Sequence, residues 1–455
     1  MARGKKKETL TPEERLQAAL VPVSEQPYPV PENWCWTRME NIAQWGSGGT
    51  PSRKIPEYYN GDIPWIKTGE LNDDYIFETE EHITEEAISH SSAKLFPVNT
   101  VAIAMYGATI GKVGILGVAA TTNQACACGV SNSLANYKYL FYYARSQKDN
   151  FIKKGKGGAQ PNISQEIIKS HEFPLPPLSE QHRIVDRIES LFAKLDEAKQ
   201  KAQDALDSFE TRKAAILHRA FTGELTSQWR KEHGVGMESW DNTTLSKIVI
   251  GFKYGISEKS DYSYKGMPVF RIPNITDDGL SFEDLKFLSH KDISDENQIH
   301  ENDILIVRSN GSRELVGKSV LVPQLDREYA YASFLIRIQP LESVVPNYLV
   351  MYLNSTDARM QMFKKAKSSA GINNINSKEL GAILINLPSF SEQAEIVRIL
   401  DNLLAKEQQA KEAAEGVLEQ IDLIKKAILA RAFRGELGTN DPSEESAVEL
   451  LKQVL

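Results

Sequence analysis

Apolar residues recur at alternating steps of four and three in two long stretches of the chain. In the first stretch they are Ile184, Ile188, Leu191, Leu195, Ala198, Ala202, Ala205 and Phe209. In the second they are Ile396, Leu400, Leu403, Ala410, Ala414, Val417, Ile421, Ile424 and Ile428, with Glu407 interrupting the series. Such heptads predict a coiled coil. A helix of about 44 residues is roughly 66 Å long and exposes its seam when alone, so we expect the two helices to pair.

The two helical stretches are copies of one segment. Residues 179–225 begin with SEQHRIVDRI and end with LHRAFTGEL, and residues 391–437 begin with SEQAEIVRIL and end with LARAFRGEL, at a constant offset of 212 residues. Ser179 and Ser391 are candidate N-caps, and Gly223 and Gly435 are candidate C-terminal stops. A repeat of this length predicts a duplicated architecture with pseudo-twofold symmetry.

The remaining chain forms two modules, which we call the first module (29–178) and the second module (236–390). Their apolar runs are short and rich in β-formers, such as TVAIAMYG and DILIVRSN, and turn residues separate them. Helical stretches near 136–154 and 347–365 are expected to pack their aromatic residues inward. The pattern predicts an α+β fold, with two globular domains separated by two long antiparallel helices. The other segments are an N-terminal stretch (1–28), a linker (226–235) and an acidic tail with a short helix (438–455).

Composition narrows the class of protein. The 455 residues are 41% hydrophobic, and two modules of about 150 residues are each large enough to bury a core. The sequence contains no run of about 18 apolar residues, so it predicts no membrane span. The basic N-terminus lacks the apolar core of a secretory signal. The three cysteines cannot build a disulfide framework, and Cys126-x-Cys128 is too sparse for a zinc site. We therefore expect a cytoplasmic protein without a membrane partner.

Motifs for catalysis are not found in the sequence. The stretch GATIGKVG has neither the glycine spacing nor the Ser or Thr of a Walker A loop, and Gly-x-Ser-x-Gly and His-Glu-x-x-His do not occur. We therefore predict no catalytic residue and no metal site. The formal net charge of −8 disfavours a general nucleic-acid binder. It leaves open a sequence reader whose cations lie on one face and whose partner helps to hold the DNA.

Polar residues on the loops of both modules suit the edges of bases and the phosphates. Arg and Lys pair with guanine, Asn and Gln with adenine, and glycine-rich backbone with phosphate. In the first module the candidates are Thr50, Ser52, Arg53, Lys67, Tyr106, Thr109, Lys112, Asn123, Gln124, Lys156 and Gln160. In the second module they are Lys253, Tyr254, Arg271, Asn274, Arg308, Asn310, Ser312, Arg313, Lys318 and Lys367.

The duplicated ends of the long helices lie outside the heptad pattern. Because both copies keep these apolar and glycine residues, we interpret them as a surface for a partner that is present twice. The candidates for docking are Arg219, Phe221, Gly223, Leu225, Arg431, Phe433, Gly435 and Leu437.

These motifs together resemble the specificity subunit of type I restriction–modification systems. The resemblance rests on GDIPWIKTGEL (61–71), YGATIGKVGI (106–115), PLPPLSEQHRIV (174–185) and RAFTGEL (219–225), with their second copies, and it covers nearly the whole chain. The second module departs from the family's wording, with RSNGSRELVGK where the first has YGATIGK, so the family's DNA contacts are not carried over to it residue by residue.

The resemblance implies a function and a set of partners. Each module is then a target recognition domain that reads one half of a split, asymmetric site in double-stranded DNA. The helices set the spacing and dock two modification subunits, and up to two restriction subunits join the complex. S-adenosylmethionine and ATP with Mg²⁺ belong to those partners, and the chain itself carries no cofactor and is not an enzyme. The alternative is a scaffold or regulatory copy that holds partners without reading DNA.

Overall fold

The computed structural model describes residues 11–155, 162–369 and 372–454, with the side chains of 367–369 excepted. The chain divides into two compact units, Met1–Lys201 with Val417–Leu455, and Ala202–Gly416. We call them the first unit and the second unit. Each contains one of the two modules and parts of both long helices.

The first unit is built on a five-stranded sheet. Its helices are α1 (Pro12–Ala19), α2 (Met39–Ile42), α3 (Glu85–Ser89), α4 (Tyr137–Ser146), α5 (Lys148–Lys154), α6 (Gln165–Lys169), most of α7 (Leu178–Asp207) and, in the C-terminal tail, α14 (Ala447–Lys452). Its strands are β1 (Cys35–Arg38), β2 (Ala43–Ser47), β3 (Ile63–Ile66), β4 (Tyr75–Ile76), β5 (His82–Ile83), β6 (Val101–Ala104), β7 (Val113–Leu116), β8 (Thr121–Thr122), β9 (Cys126–Ser131) and β10 (Glu172–Leu175). The strand orders are β2-β9-β6-β7-β4, β5-β3-β8 and β1-β10.

The second unit repeats this plan with a four-stranded main sheet. Its helices are α8 (Phe209–Phe221), α9 (Ser227–His233), α10 (Pro346–Leu353), α11 (Thr356–Lys365), α12 (Ser377–Gly381) and the first part of α13 (Phe390–Ala432). Its strands are β11 (Asp241–Thr244), β12 (Val249–Tyr254), β13 (Pro268–Phe270), β14 (Ile275–Thr276), β15 (Gly279–Leu280), β16 (Lys286–Phe287), β17 (Ile304–Val307), β18 (Ser309–Asn310), β19 (Ser319–Leu321), β20 (Ala330–Tyr331), β21 (Leu335–Pro340), β22 (Lys367–Ser369), β23 (Ile372–Asn374) and β24 (Leu384–Leu387). The larger sheets are ordered β12-β21-β17-β19, β16-β13-β20 and β18-β23-β22, and the pairs are β11-β24 and β14-β15.

The short apolar runs form the strands that the sequence predicts. The strand β6 lies between β9 and β7, and β17 lies between β21 and β19. Every residue of both strands is buried, which is why they read as continuous apolar runs rather than as an alternation. The α+β prediction for both modules is confirmed.

The long helices run antiparallel in each unit. In the second unit, Arg212 donates to Glu407 at 2.8 Å and the ammonium of Lys411 lies 5.1 Å from the ring centre of Phe209. In the first unit, Lys425 of α13 forms an ion pair with Asp196 of α7. The interruption of the heptads at Glu407 is thereby explained, because its carboxylate is the partner of Arg212.

The sequence pattern predicts one continuous first long helix, but the structure divides it in two. The helix α7 ends at Asp207 and α8 begins at Phe209. The hydroxyl of Ser208 donates to the carbonyl of Asp204 at 2.8 Å, and Arg212 donates to the carbonyl of Ala205 at 3.1 Å. The backbone bonds from Ser208 N to Asp204 O at 3.1 Å and from Arg212 N to Ser208 O at 3.0 Å persist, so the break is a local one at Ser208.

The long helices end at the predicted glycines but do not begin at the predicted serine N-caps. Gly223 and Gly435 adopt φ values of 80° and 74°, and the backbone N–H of the following residue bonds back to Arg219 or Arg431 at 2.9 Å. These glycine stops are confirmed. The N-cap prediction is wrong, because the helices begin at Leu178 and Phe390, before Ser179 and Ser391.

The Glu of each SEQ sequence is a buried carboxylate that accepts a hydrogen bond from a threonine hydroxyl. Glu392 is fully buried and accepts from the hydroxyl of Thr226 at 2.7 Å and from Arg230 at 2.6 Å. Glu180 is buried in the same way and accepts from the hydroxyl of Thr439 at 2.6 Å. Both threonines follow a GEL sequence, so the start of one copy holds the chain beyond the end of the other.

The Gln of each SEQ sequence hydrogen-bonds to the backbone at the start of a helix in the module that comes before it in the chain. The side chain of Gln181 accepts from Asn136 N at 2.8 Å and donates to Leu134 O at 2.8 Å. Gln393 makes the matching bonds, accepting from Val345 N at 2.8 Å and donating to Ser343 O at 3.2 Å. Each buried amide therefore fixes the entry of α4 or α10.

The repeated phenylalanines are core residues, which corrects their interpretation as docking residues. Phe433 packs edge-on against Tyr139 and Tyr143, with ring centres 5.3 and 5.1 Å apart. Phe221 packs in the same way against Tyr348 and Tyr352, at 5.4 and 5.1 Å. Both copies keep them because each unit needs one to close its core. The inward packing expected for α4 is confirmed by Tyr139 and Phe141, while Tyr142 is half-buried.

The buried ion pair of the second unit should dominate its local stability. We expect Glu392→Ala to lower the free energy of unfolding by about 3 kcal/mol or more, because it leaves the Arg230 charge buried and unpaired. Urea denaturation of the full chain measures this. Glu395→Ala is the control on the same helix, since Glu395 pairs with the exposed Arg398 and should cost below about 1 kcal/mol. Equal losses in the two variants would contradict the assignment.

Candidate nucleic-acid interface

A glycine begins the same loop in both modules, where the backbone passes very close to a neighbouring strand. Gly49 N donates to Thr122 O at 2.8 Å, and Ile256 N donates to Tyr331 O at 2.9 Å. A Cβ on Gly48 would lie 2.1 Å from Thr122 O, and one on Gly255 would lie 2.2 Å from Tyr331 O. Only glycine fits such an approach, so the loops that begin at 48 and 255 are equivalent.

A second loop, at 123–126 and 332–335, is also held identically. Met105 N donates to Ala125 O at 2.8 Å, and Arg308 N donates to Phe334 O at 2.9 Å. The turn is closed by Cys126 N to Asn123 O in the first module, and by Leu335 N to Ala332 O in the second. The backbone of the two loops is therefore shared while their side chains differ.

The third loop follows the central strand and differs in length. Ala104 N donates to Lys112 O, and Val307 N donates to Lys318 O, both at 2.9 Å. Gly111 and Gly317 precede these lysines with φ values of 75° and 87°. Residues 105–111 and 308–317 are thus alternative loops on one framework, and the second is longer, as the sequences indicate.

In the first module, the first two loops bring several candidates together. The hydroxyl of Thr50 contacts the amide oxygen of Gln124. The guanidinium of Arg53 lies 4.1 Å from the ring centre of Tyr59 and donates to Glu81 at 2.6 Å. Lys67 follows β3, and Asn123 N donates to the neighbouring Ile66 O at 2.9 Å. Five candidates from distant parts of the sequence therefore converge.

Carboxylates orient the cations of this group. Lys67 donates to Glu80 at 2.9 Å and to Glu81 at 3.1 Å. The hydrogen bond from Arg53 lowers the pKa of Glu81 below its usual value, and the bonds to the carboxylates raise the pKa of Lys67 and Arg53. The side chains are thus fully charged and held in place before any ligand binds.

The other candidates of the first module lie on the third loop or near it. Tyr106 is exposed and pairs with the backbone of Asn162, and the hydroxyl of Thr109 donates to Tyr106 O at 2.8 Å. Lys112 is half-buried and Ser52 is exposed. Lys156 and Gln160 lie outside the described residues, as does the side chain of Lys367.

In the second module, an arginine and a tyrosine stack beside the third loop. The guanidinium of Arg308 lies 4.6 Å from the ring centre of Tyr254 and 3.5 Å from Asn374 Oδ1. The hydroxyl of Tyr254 accepts from Ser377 N at 2.9 Å. Lys253 forms an exposed ion pair with Glu296 at 3.2 Å. Asn374 is not among the predicted candidates, although an Asn-Ile pair recurs at 162–163 and 374–375 with the same offset of 212 residues.

Arg271 stands where the first module has Lys67. Arg271 N donates to Asn274 Oδ1 at 2.9 Å, as Lys67 N donates to Glu70 at 2.7 Å. The guanidinium of Arg271 donates to Asp284 O at 2.7 Å. Asn274 is 1% exposed and its amide donates to Glu283 O. This corrects its interpretation as a base reader, because both ends of the amide are used inside the fold.

Lys318 also has an internal partner. Its ammonium lies 2.7 Å from Asp277 and its side chain is half-buried, and the hydrogen bond lowers the pKa of Asp277. The pair lines a cleft of about 660 Å³ together with Lys213 and Leu217 of α8. Lys318 is therefore oriented by a carboxylate, as Lys67 is in the first module.

Three other candidates of the second module lie on its longer third loop. Arg313 donates to Phe363 O at 2.8 Å, and the Oδ1 of Asn310 accepts from Ser312 N at 2.8 Å. Asn310 therefore closes a turn, while Ser312 and Arg313 are exposed.

No group of three or more His, Cys, Asp or Glu side chains among 11–155, 162–369 and 372–454 could hold a metal ion. No helix within those same ranges is long and apolar enough to cross a membrane.

The model of the type I restriction modification DNA specificity domain matches this chain twice, at residues 31–206 and 237–416. The chain belongs to this family. The two matches coincide with the two copies of the loop framework, so the specificity domain is present once in each half.

Known members of the family resemble the chain over different shares of its length. The type I restriction enzyme EcoKI specificity subunit of Escherichia coli (strain K12) is 25% identical over 93% of this chain and 95% of its own length. The EcoR124I/EcoR124II specificity subunit of Escherichia coli is 34% identical over 33% of this chain and 39% of its own. The solved HsdS subunit of Thermoanaerobacter tengcongensis has the same fold, with a TM-score of 0.67, 20% identity and coverage of 91% of this chain and 100% of that one.

A buried histidine should make the first unit sensitive to acid. The Nδ1 of His171 accepts from the ammonium of Lys154 at 2.9 Å, and burial, with the Lys154 charge, lowers the pKa of His171 from 6.5 to about 4. The unfolded imidazole binds a proton at higher pH than the folded one, so stability should fall as the pH drops from about 7 to about 4.

His171→Gln tests this because glutamine does not titrate. We expect the melting temperature of the wild-type chain to drop more between pH 7 and pH 5 than that of the variant. Differential scanning fluorimetry in matched ionic strength measures both. An identical drop in the two proteins would contradict the prediction.

Proposed function

We propose that each specificity domain of this chain reads one half of a bipartite, asymmetric sequence in double-stranded DNA. The observation that carries the proposal is the duplicated framework of three loops, which keeps its backbone hydrogen bonds while its side chains differ. Arg53, Lys67, Asn123 and Gln124 occupy this framework in the first module, and Arg271, Arg308 and Ser333 in the second. Such residues read base edges and position phosphates, and different sets on one scaffold suit different half-sites.

The remaining activities of the complex are assigned to partners. We infer two modification subunits that bind S-adenosylmethionine, one for each copy of the repeated helix, with restriction subunits that use ATP and Mg²⁺. This chain acts in the cytoplasm as the recognition component and performs no catalysis. The exposed Arg219 and Arg431 and the half-buried Leu225 and Leu437 remain candidates for docking, unlike the buried phenylalanines. The acidic net charge fits a complex in which the partners supply part of the DNA clamp.

A methylation map tests whether the chain reads DNA. The full chain is co-expressed with its modification subunit, and modified adenines are located by sequencing. Exchange of residues 236–390 for the corresponding domain of another specificity subunit should change one half of the methylated motif and leave the other half intact. If the methylated motifs are the same with and without this chain, and the same after the exchange, the alternative is favoured. That alternative is a scaffold that holds partners without reading DNA.

The long helices should determine the spacing between the half-sites. Deletion of one heptad from each helix, residues 199–205 and 415–421, removes about 10.5 Å of helix, which corresponds to about three base pairs. The Arg212–Glu407 and Asp196–Lys425 pairs lie outside both deletions. We expect a methylated motif with a shorter spacer, or loss of methylation. A functional variant with an unaltered spacer would show that the helices do not measure distance.

A further inference from the structure

Phe334 exposes 57% of its surface on the second loop of the second module. It follows Ala332 and Ser333, and its neighbour Leu335 is fully buried. A large aromatic ring that is left in water at the centre of a set of polar loops contributes nothing to the core of the unit.

The backbone prevents the ring from turning inward. Phe334 O accepts from Arg308 N at 2.9 Å, Leu335 N donates to Ala332 O at 2.9 Å, and Ser333 N donates to Ile256 O at 2.8 Å. These bonds fix the turn from both sides, and Leu335 already fills the core position. The ring is therefore held outward by the same contacts that define the loop.

The first module has no such ring at the equivalent position. Ala125 O accepts from Met105 N as Phe334 O accepts from Arg308 N, so Ala125 and Phe334 correspond. Gln124, the residue before Ala125, is exposed and polar, while Ser333 takes its place in the second module. The aromatic ring thus belongs to what distinguishes the two modules rather than to their shared scaffold.

The surroundings of Phe334 combine one apolar group with hydrogen-bonding groups. Arg308 is bonded to it through the backbone and is stacked on Tyr254. On the edges of base pairs in the major groove, the 5-methyl of thymine is the apolar group, and side chains such as Phe contact it. We propose that Phe334 is a specificity-determining residue, by which the second module recognises a thymine through its methyl group.

This inference rests on the proposed function and can be tested separately from it. Full-length chain in complex with its modification subunit is titrated against duplexes in which each thymine of the recognised site is replaced in turn by uracil, which lacks the methyl. At one thymine of the half-site read by the second module, we expect uracil to weaken binding about threefold to tenfold. Phe334→Ala should bind the thymine duplex that much more weakly and make no distinction between thymine and uracil there.

Two controls keep the outcomes apart. Phe334→Leu retains an apolar contact and should keep part of the preference for thymine, and the melting temperature of Phe334→Ala should equal that of the wild type because the ring is exposed. The inference would be overturned if uracil at every position left the binding affinity unchanged. It would also be overturned if uracil weakened binding equally in the wild type and in Phe334→Ala. If scrambling either half-site left binding unchanged, the proposed function itself would fail.

Discussion

The architecture depends on two buried carboxylates at the starts of the long helices. Glu180 and Glu392 are each removed from water, and each accepts a hydrogen bond from a threonine that follows the end of the other repeat. A buried carboxylate is costly unless its acceptors are satisfied, so Thr439, Thr226 and Arg230 have little freedom to leave. The adjacent Gln181 and Gln393 fix α4 and α10 in the same way. The residues that the two repeats share are therefore those that make the internal hydrogen bonds of each unit.

These constraints give each unit the same closing contact. In the first unit the tail after Gly435 binds back to the start of α7, where Glu444 receives a bidentate bond from Arg183 at 2.8 and 2.7 Å. In the second unit the linker after Gly223 meets the start of α13 through Thr226 and Arg230. One phenylalanine, Phe433 or Phe221, then fills the space between two tyrosines. The loops that carry recognition are mounted on a framework whose backbone is already fixed.

A fixed framework explains how two domains of one chain can differ in their contacts. Close backbone approaches at Gly48 and Gly255 hold the first loop, and the bonds to Ala125 O and Phe334 O hold the second. Side chains on these loops can change without disturbing the core, because the loops are held through backbone atoms. Arg53 and Lys67 are oriented by Glu81, whereas Arg308 is oriented by Tyr254, so even similar cations are presented by different means.

The sequence by itself determined the heptad helices, the duplicated plan, the α+β modules and the glycine stops, since periodicity and backbone conformation are local properties. It also located the loops of the candidate interface. Only the tertiary structure decided which residues of the repeat are buried, because Phe221 and Phe433 pack against tyrosines that are distant along the chain. It likewise revealed that Glu407 pairs with Arg212, that Ser208 interrupts the helix, and that Phe334 faces outward. Burial and pairing arise from long-range contacts, which the spacing of residues in one segment does not encode.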